Sequence, residues 1–343
     1  MAELKLFRRT NSKYINGTKM DFNQIKLAVL GVGNWGKNHL KTAASLLPPE
    51  NIVVYDPGLK TRATVSAISD KIRVADTLED IINDPEITTA IVATPAQTHY
   101  FVAKSLLEAG KHVLVEKPIT LYSKEAENLV HIAAKNNLRL MVGHVLLYHE
   151  AVKHIKNAVG KELGELQYIY SNRLNLGKIR SEENALWSFA PHDIAIIQFI
   201  IGANPINVHA QGSAVIQPNI EDSTVTFLNY PGNISAHIFV SWLHPFKEQR
   251  LVVIGSEGMF VFEDSLPDNK LKFYKKGFKK VNGQLEAFDQ SFEVVQYENK
   301  PPLAEEQKHF FECVLTGNTP FSDGVHALEV LKILEQAQER LSE

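Results

Sequence analysis

The sequence has one cysteine, little net charge and no long apolar run, and each of these absences excludes a class of protein. With Cys313 alone, an internal disulfide framework and a cysteine-based zinc site are both excluded. A formal net charge of −3 predicts neither a surface that binds nucleic acid nor a polybasic face that binds membranes. No apolar run reaches the roughly 18 residues that a membrane span needs. What remains is an ordinary globular composition, 44% hydrophobic over 343 residues, with no metal site expected.

The first 24 residues are basic and polar and lack the apolar segment of a secretory signal. We interpret residues 1–24 as an N-terminal extension, and the sequence assigns no role to residues 1–19. A cytoplasmic location is therefore expected.

Between residues 25 and 143, short β-branched apolar runs alternate with helical patterns. This alternation predicts a parallel sheet covered by helices on both faces, because strands buried on both sides are apolar throughout. The predicted helices lie near residues 34–47, 77–82, 96–109 and 123–136. The fold class is thus α/β, with a doubly wound Rossmann domain over residues 25–143.

The pattern changes after Gly143. From about residue 207 to 295 polar and apolar residues alternate, with Gly, Pro and Asn at the turns, which is typical of antiparallel strands with one solvated face. Amphipathic helices are predicted near 303–316 and 323–341. Residues 144–343 should form an α+β domain with a large, mainly antiparallel sheet, whose closing helices pack back on the first domain.

A glycine-rich segment, AVLGVGNWGKNHL, lies between the first predicted strand and the first predicted helix. Glycines spaced as G-x-G-x-x-G allow a tight turn and a close approach of the backbone to a pyrophosphate, which the helix N-terminus then favours. A purely structural turn is the alternative. The predicted cofactor-binding residues of this loop are Gly31, Gly33, Asn34, Trp35 and Gly36.

Asp56 ends the next predicted strand, at the position where a dinucleotide fold places the carboxylate that binds the ribose. An acidic side chain accepts hydrogen bonds from the adenosine 2′-hydroxyl and repels a 2′-phosphate. NAD is therefore the expected cofactor, and NADP is the less favoured alternative. Arg62 could serve a 2′-phosphate, although a solvated helix residue is the simpler interpretation.

The run ATPAQTHYFVAKSLLEAGKHVLVEKPIT, residues 93–120, is the most specific stretch in the chain. Together with the glycine-rich loop, the Ser241-Trp242 turn and the closing helices, it resembles the Gfo/Idh/MocA family of sugar and polyol oxidoreductases. The resemblance implies that Thr94 and Pro95 line the nicotinamide ribose. It also implies that Glu116, Lys117 and Pro118 form an EKP motif, usually with a cis peptide before the proline.

Lys117 is the first predicted catalytic residue, because the family's lysine at this position reaches the reacting hydroxyl. The physical argument agrees, since the carboxyl ends of parallel strands line the crevice where α/β folds bind ligands. A solvated lysine at a strand end is the alternative. His99 also matches the family pattern, and we interpret it as ordering the cofactor-binding loop.

The segment WSFAPHD, residues 187–193, supplies the second predicted catalytic residue, His192. Pro191 is suited to the first position of a helix, so the segment predicts a helix start. In the family, a histidine within Asp-x-x-x-His-Asp-x-x-Asp reaches the substrate, and here Ser188 and Ile196 replace the outer aspartates. The proton acceptor could be Lys117 or a neutral His192, since like charges close together lower each other's basicity.

The charged stretch before this segment lies where the family contacts its substrate. Its cations suit a phosphorylated, nucleotide-linked or carboxylated sugar, whereas a solvated charged loop is the alternative. The predicted substrate-binding residues are His144, Arg173, Asn175, Lys178, Trp187 and Asp193.

Three functions remain open on the sequence. The first is NAD-dependent oxidation of a secondary hydroxyl of a nucleotide-linked sugar, as in UDP-N-acetylhexosamine 3-dehydrogenases. The second is oxidation of a free sugar or inositol, and the third is a non-catalytic NAD(P)-binding regulator. The resemblance also implies a homo-oligomer, a dimer or tetramer.

Overall fold

Two sheets organise the chain, which a computed structural model describes over residues 20–177 and 179–341. The predicted extension of residues 1–19 and the predicted substrate residue Lys178 lie outside the described residues. Within these ranges, the helices are too short or too polar to span a bilayer.

The first sheet consists of short, buried, parallel strands. They are β1 (Leu27–Leu30), β2 (Ile52–Tyr55), β3 (Arg73–Val74), β4 (Thr89–Val92), β5 (His112–Val115) and β6 (Leu140–Val142). Their order in the sheet is β3-β2-β1-β4-β5-β6. The order reverses between β1 and β4, so the crevice at the carboxyl ends of these two strands is where this architecture binds a ligand.

Helices flank this sheet. They are α1 (Gly36–Leu46), α2 (Thr61–Ser66), α3 (Leu78–Ile82), α4 (Ala96–Glu108) and α5 (Ser123–Lys135). Four of them match the predicted helices, whereas α2 was not predicted because it is short and contains β-branched residues. The predicted doubly wound architecture is confirmed.

The second sheet is larger, with most neighbours antiparallel. After α6 (Glu150–Ala158), its strands are β7 (Leu166–Leu174), β8 (Asn207–Ser213), β9 (Ser223–Tyr230), β10 (Ile234–Ser241), β11 (Glu248–Gly255), β12 (Met259–Glu263), β13 (Leu271–Val281) and β14 (Gln284–Val294). Their order is β14-β13-β12-β11-β7-β10-β9-β8. Only β7 and β10, among the described strands of this sheet, pair in parallel. The mainly antiparallel sheet is thus confirmed.

The helix that carries His192 begins earlier than the sequence predicts. Helix α7 spans Ala185–Ile201, and the side chain of Asn184 caps it by accepting a hydrogen bond from the N–H of Trp187. Pro191 lies inside the helix and not at its first position. Asn184 is a strong N-cap, and the first residues of α7 are buried, so capping and packing outweigh the local cost of the proline. The predicted helix start was therefore wrong, and His192 is presented from the middle of a helix.

Two closing helices cover both sheets. Helix α8 (Pro302–Thr316) packs on α1, and α9 (Gly324–Leu341) packs on α5, β6, α7 and β8. The indole N–H of Trp187 donates to Oε1 of Gln338 at 3.0 Å, which ties α7 to α9. These contacts fix α7 relative to the first sheet.

Candidate active site

The glycine-rich loop has the shape of a phosphate cradle. Gly31 has a φ of +86°, and a Cβ on it would lie 2.7 Å from the carbonyl oxygen of Ala93. A Cβ on Gly36 would lie 1.9 Å from the carbonyl oxygen of Gly31. By contrast, a Cβ on the exposed Gly33 would meet nothing within 4 Å. Because Gly33 is unnecessary for the fold itself, this open space at the N-terminus of α1 fits a bound pyrophosphate.

Two further predicted loop residues, Asn34 and Trp35, are exposed at the same place. The side chain of Asp56 closes the loop from the other side. Its Oδ2 accepts a hydrogen bond from the N–H of Val32 at 2.7 Å, and its Oδ1 accepts one from the N–H of Gly58 at 2.6 Å. Asp56 is thus placed at the end of β2, beside the loop, as the cofactor prediction requires.

The EKP motif is tied to the cofactor loop through its glutamate. Oε1 of Glu116 accepts a hydrogen bond from the indole N–H of Trp35 at 2.6 Å and lies 2.7 Å from Nε2 of His39. Burial alone would raise the pKa of Glu116, but the bonds from His39 and Trp35 hold it below its usual value. Glu116 therefore serves as an anionic anchor beneath the loop.

His99 joins the ends of β4 and β5. Its Nδ1 lies 2.7 Å from the carbonyl oxygen of Pro118, and its Nε2 lies 2.9 Å from that of Thr94. The peptide between Lys117 and Pro118 is cis. Thr94 and Pro95, at the start of α4, remain partly accessible. With each ring nitrogen close to a backbone carbonyl oxygen, His99 is placed to order the loops rather than to touch a ligand.

Charged side chains from several elements of the chain act electrostatically on Lys117. Burial lowers its pKa, Glu116 and Glu183 offset this partly, and Arg180 and Arg173 lower it further. An ammonium group that loses its proton more easily is a better proton acceptor near neutral pH. The surroundings therefore suit Lys117 to general base catalysis.

Two histidines face the same place and are held neutral. Burial lowers the pKa of His192 well below its usual value, and Lys117 and Arg173 add to this effect. Burial likewise lowers the pKa of His144, with contributions from His326 and Lys117. In the described part of the chain, Nδ1 of His192 and both ring nitrogens of His144 are buried without a hydrogen-bond partner. Buried unpaired nitrogens are costly, so these atoms are suited to bonding a ligand's hydroxyl groups.

Arg173 is held at the site by Asp193. Its Nε donates to Oδ2 of Asp193 at 2.7 Å and its Nη2 to Oδ1 at 3.2 Å, while Ser171 Oγ donates to Oδ1 at 2.5 Å. The Asp193 side chain is only 3% exposed. A bidentate pair of this kind fixes the guanidinium plane. The geometry makes Asp193 a support for Arg173 rather than a group that reaches a ligand.

The remaining predicted substrate residues are used differently. Trp187 packs against the cores of both sheets and bonds to Gln338, so its ring is turned into the protein. The N–H of Asn175 donates to the carbonyl oxygen of Ser241 at 3.1 Å, which joins the ends of β7 and β10. Asn175 therefore lies at the rim of the site.

Glu183, one of the carboxylates that act on Lys117, was not predicted as a site residue from the sequence. Oε1 of Glu183 accepts a hydrogen bond from Ser188 Oγ at 2.9 Å and lies 2.6 Å from Nη1 of Arg180. Ser188 stands where the family pattern has an aspartate. That missing carboxylate was the one signal in the sequence that a replacement should be sought nearby.

A second unpredicted carboxyl group lies under the EKP motif. Both oxygens of Glu306, on α8, are buried without a hydrogen-bond partner among the described residues. One ligand atom from each of His39, Glu116 and Glu306 lies within 4.8 Å of the others. Burial raises the pKa of Glu306 well above its usual value, and Glu116 raises it further. No metal was predicted here, and protonation of Glu306 accounts for two carboxyl groups side by side.

Replacing Glu306 by glutamine is expected to stabilise the protein at high pH. A carboxyl whose folded-state pKa is raised contributes fully below its unfolded pKa, and that contribution is lost as pH rises towards the folded pKa. Glutamine carries no titrating proton, so the unfolding free energy of the variant should rise relative to that of the unaltered protein between pH 5 and pH 8. Denaturant unfolding at both pH values measures this, with the exposed Glu339→Gln as control. Equal pH dependence in all three proteins would contradict a buried neutral Glu306.

Comparison with family models identifies the chain. A model described as "Oxidoreductase family, NAD-binding Rossmann fold" matches residues 25–144, and a GFO/IDH/MocA C-terminal domain model matches residues 160–261. The chain belongs to the Gfo/Idh/MocA family. It is an oxidoreductase with an NAD-binding Rossmann fold, as the resemblance implied.

Curated members of the Gfo/Idh/MocA family align along most of the chain. UDP-N-acetylglucosamine 3-dehydrogenase of Acidithiobacillus ferrooxidans is 27% identical, covering 90% of this chain and 94% of its own. The NAD-dependent scyllo-inositol 2-dehydrogenase of Bacillus subtilis is 25% identical, with coverages of 91% and 92%. The NADP-dependent D-xylose 1-dehydrogenase of Haloarcula marismortui is 23% identical, with coverages of 92% and 91%. These relatives are named as dehydrogenases of sugars and inositols, and they differ in cofactor.

Solved structures show the same fold. The Acidithiobacillus ferrooxidans UDP-N-acetylglucosamine 3-dehydrogenase superposes with a TM-score of 0.80 at 24% identity, covering 92% of this chain and 97% of its own. A levoglucosan dehydrogenase in complex with NADH and levoglucosan gives 0.77 at 18% identity, with coverages of 93% and 97%. The arrangement of both sheets is therefore that of known Gfo/Idh/MocA proteins.

Proposed function

We propose that the protein is an NAD-dependent dehydrogenase that oxidises a secondary hydroxyl of a nucleotide-linked sugar. The observation that carries the proposal is that Lys117, which follows β5 directly, shares electrostatic interactions with His192, His144 and Arg173. A non-catalytic regulator would not need an amine of lowered pKa beside two unpaired imidazoles.

The residues of the chain divide the chemistry between them. Gly31, Gly33 and Asp56 would hold the dinucleotide, and NAD supplies the hydride acceptor when it is bound. Lys117 takes the proton of the reacting hydroxyl group, while the substrate carbon that bears this group gives up hydride. Neutral imidazoles at 144 and 192 hydrogen-bond to hydroxyl groups and keep the sugar oriented.

The rim of the site supports a substrate larger than a free sugar. The paired ends of β7, β8, β9 and β10 lie at one end of the large sheet, where the connections begin at residues 175, 214 and 242. Gln217 Nε2 donates to the carbonyl oxygen of Arg180 at 2.9 Å, so the first two connections touch. These two connections expose apolar side chains in the neighbourhood of Arg180, namely Leu176, Ile179, Val215 and Ile216. A cation beside exposed apolar surface suits a phosphate group carrying a base.

A substrate panel tests the proposal. Initial rates would be measured with UDP-N-acetylglucosamine, free N-acetylglucosamine and scyllo-inositol, each with NAD and with NADP. We expect kcat/KM for the nucleotide sugar with NAD to exceed that of the free compounds by at least about 100-fold, as two lost charge-assisted hydrogen bonds would predict. Saturation-transfer NMR in the presence of NAD would show binding separately from turnover. Preferential oxidation of inositol would favour the second candidate, and preference for NADP would overturn the role given to Asp56.

Asp56 supports the choice of NAD. Arg62, the cation that could have served a 2′-phosphate, is 2.6 Å from Asp76 instead. The cytoplasmic location and the homo-oligomeric state remain predictions from the sequence. The boundaries of residues 1–24, 25–143 and 144–343 are likewise proposals.

A further inference from the structure

The connection between β10 and β11, residues 242–247, crosses the end of β7. In the sheet β7 lies between these two strands, and both Ser241 on β10 and Glu248 on β11 pair with Leu174, the last residue of β7. Two strand spacings separate β10 from β11 by about 10 Å, whereas six extended residues reach about 20 Å. The spare length makes the connection an arch over the place where the chain leaves β7.

Buried hydrogen bonds fix the base of this arch. Trp242 is fully buried, its backbone N–H donates to the carbonyl oxygen of Asp222 at 3.1 Å, and its indole N–H donates to the Asp222 carboxylate. The other carboxylate oxygen of Asp222 accepts the N–H groups of Val215 and Ile216 at 2.7 and 2.8 Å. One buried aspartate therefore holds the arch and the neighbouring connection in a fixed relation, which gives a ligand a preformed surface.

The middle of the arch carries a histidine with an unused ring nitrogen. Nε2 of His244 is buried and has no hydrogen-bond partner among the described residues. A buried polar atom without a partner costs free energy, which a ligand recovers when it supplies that partner. A hydroxyl group fits either tautomer of the imidazole, because it both donates and accepts. His244 is therefore suited to bind a hydroxyl group of a ligand.

An exposed phenyl ring stands edge-on to this imidazole. Phe246 is 60% exposed, and its ring centroid lies 4.5 Å from that of His244 at an interplanar angle of 75°. Leu243 in the arch is also exposed, as is Leu176 in the segment that the arch crosses. Exposed aromatic and aliphatic surface beside a buried polar atom fits a flat ring joined to a group with hydroxyls, which describes a nucleoside.

The arch lies beside an arginine of the proposed catalytic site. Arg173 pairs with Val240, two residues before the arch begins, and its guanidinium acts electrostatically on Lys117. A substrate whose sugar reaches Lys117 and whose phosphates reach Arg173 would bring its third part, the nucleoside, to the arch.

We propose that His244 and Phe246 form the nucleoside subsite, with Nε2 of His244 bonding a ribose hydroxyl and Phe246 packing against the base. The inference rests on the proposed function, in which the sugar is nucleotide-linked. It assigns substrate contacts to a connection that carries none of the site residues predicted from the sequence. The reacting sugar and the nucleoside are then recognised by different elements, so that nucleoside binding and proton transfer can be altered separately.

Calorimetric titration with UDP in the absence of NAD tests the subsite without turnover. We expect Phe246→Ala and His244→Leu each to weaken UDP binding about 3- to 10-fold, since one removes an aromatic contact and the other a hydrogen bond. His244→Gln, which keeps a hydrogen-bonding group, should recover part of the affinity. Inorganic pyrophosphate, which has neither base nor ribose, should bind all the variants alike. The exposed Phe101→Ala and His131→Leu are the matched controls, and thermal unfolding verifies that each variant folds.

The outcomes separate the subsite from the proposed function. Absence of UDP binding to the unaltered protein, equal UDP affinity in Phe246→Ala, His244→Leu and the controls, or a parallel loss of pyrophosphate binding would each overturn the inference. In steady-state assays the two variants should raise KM for UDP-N-acetylglucosamine and leave kcat within about twofold, because neither residue touches the reacting atoms. A substrate panel that favours inositol, together with UDP binding that depends on both residues, would instead overturn the proposed function and leave the subsite standing.

Discussion

Replacing Lys117 by alanine is expected to lower kcat by about 10²–10⁴-fold, the usual contribution of a general base. The affinity for NAD should change little, because the dinucleotide is held by the glycine-rich loop and Asp56. Burial and two arginines lower the pKa of Lys117, so oxidation by the unaltered enzyme should become faster as pH rises through that pKa. Steady-state rates across pH 6–10 and NAD titration by calorimetry measure both effects.

The exposed Lys124→Ala is the matched control for this variant. His192→Ala provides a second comparison, since burial lowers the pKa of His192 well below its usual value and the proposed proton acceptor is Lys117. His192→Ala should raise KM and lower kcat, but its rate of oxidation should still rise as pH passes through the pKa of Lys117. In Lys117→Ala this rise should be absent. Full activity in Lys117→Ala would remove the lysine from the reaction.

The second large effect is expected in the glycine-rich loop, where two alanine substitutions should fail for different reasons. Gly36→Ala places a Cβ 1.9 Å from the carbonyl oxygen of Gly31, so the loop must move. We expect it to lose about 1–3 kcal/mol of unfolding free energy as well as NAD binding. Gly33→Ala has open space and a permitted backbone, so its stability should stay within about 0.5 kcal/mol of the unaltered protein.

Gly33→Ala nevertheless should weaken NAD binding by at least about tenfold, or 1.4 kcal/mol, because the new methyl group occupies the space left for the pyrophosphate. Thermal unfolding without ligand and calorimetric titration with NAD separate the two variants. If Gly33→Ala bound NAD as tightly as the unaltered protein, the pyrophosphate would have to pass elsewhere.

The sequence was informative where one short segment carries its own physical reason. Buried strands are apolar on both faces, so β1, β2, β4 and β5 could be predicted without knowing their neighbours. The glycines of the cofactor loop and the EKP motif lie at strand ends, and strand ends meet at one edge of a parallel sheet. These features therefore predicted both the fold and the place of the site.

What could not be predicted depends on contacts between distant segments. Burial raises the pKa of Glu306, and Glu116, far away in the sequence, raises it further. Glu183 lies in an irregular charged stretch, where nothing local distinguishes it from Glu182. The predicted start of α7 was wrong because Pro191 is a strong local signal for a first helical position. The cap at Asn184 and the burial of the first turn depend on the tertiary structure.

The packing of α8 and α9 has a consequence for how the protein is made. Both helices cover elements of the first sheet, with Gln307 bonding to His39 and α9 lying on α5 and β6. The ribosome finishes α5 long before α9 exists, with a delay of about 10–40 s at ordinary elongation rates. During that time the dinucleotide-binding domain exposes apolar surface that only residues synthesised later can bury. The nascent chain therefore has a cofactor loop in place before it has the helices that hold this loop and α7 together.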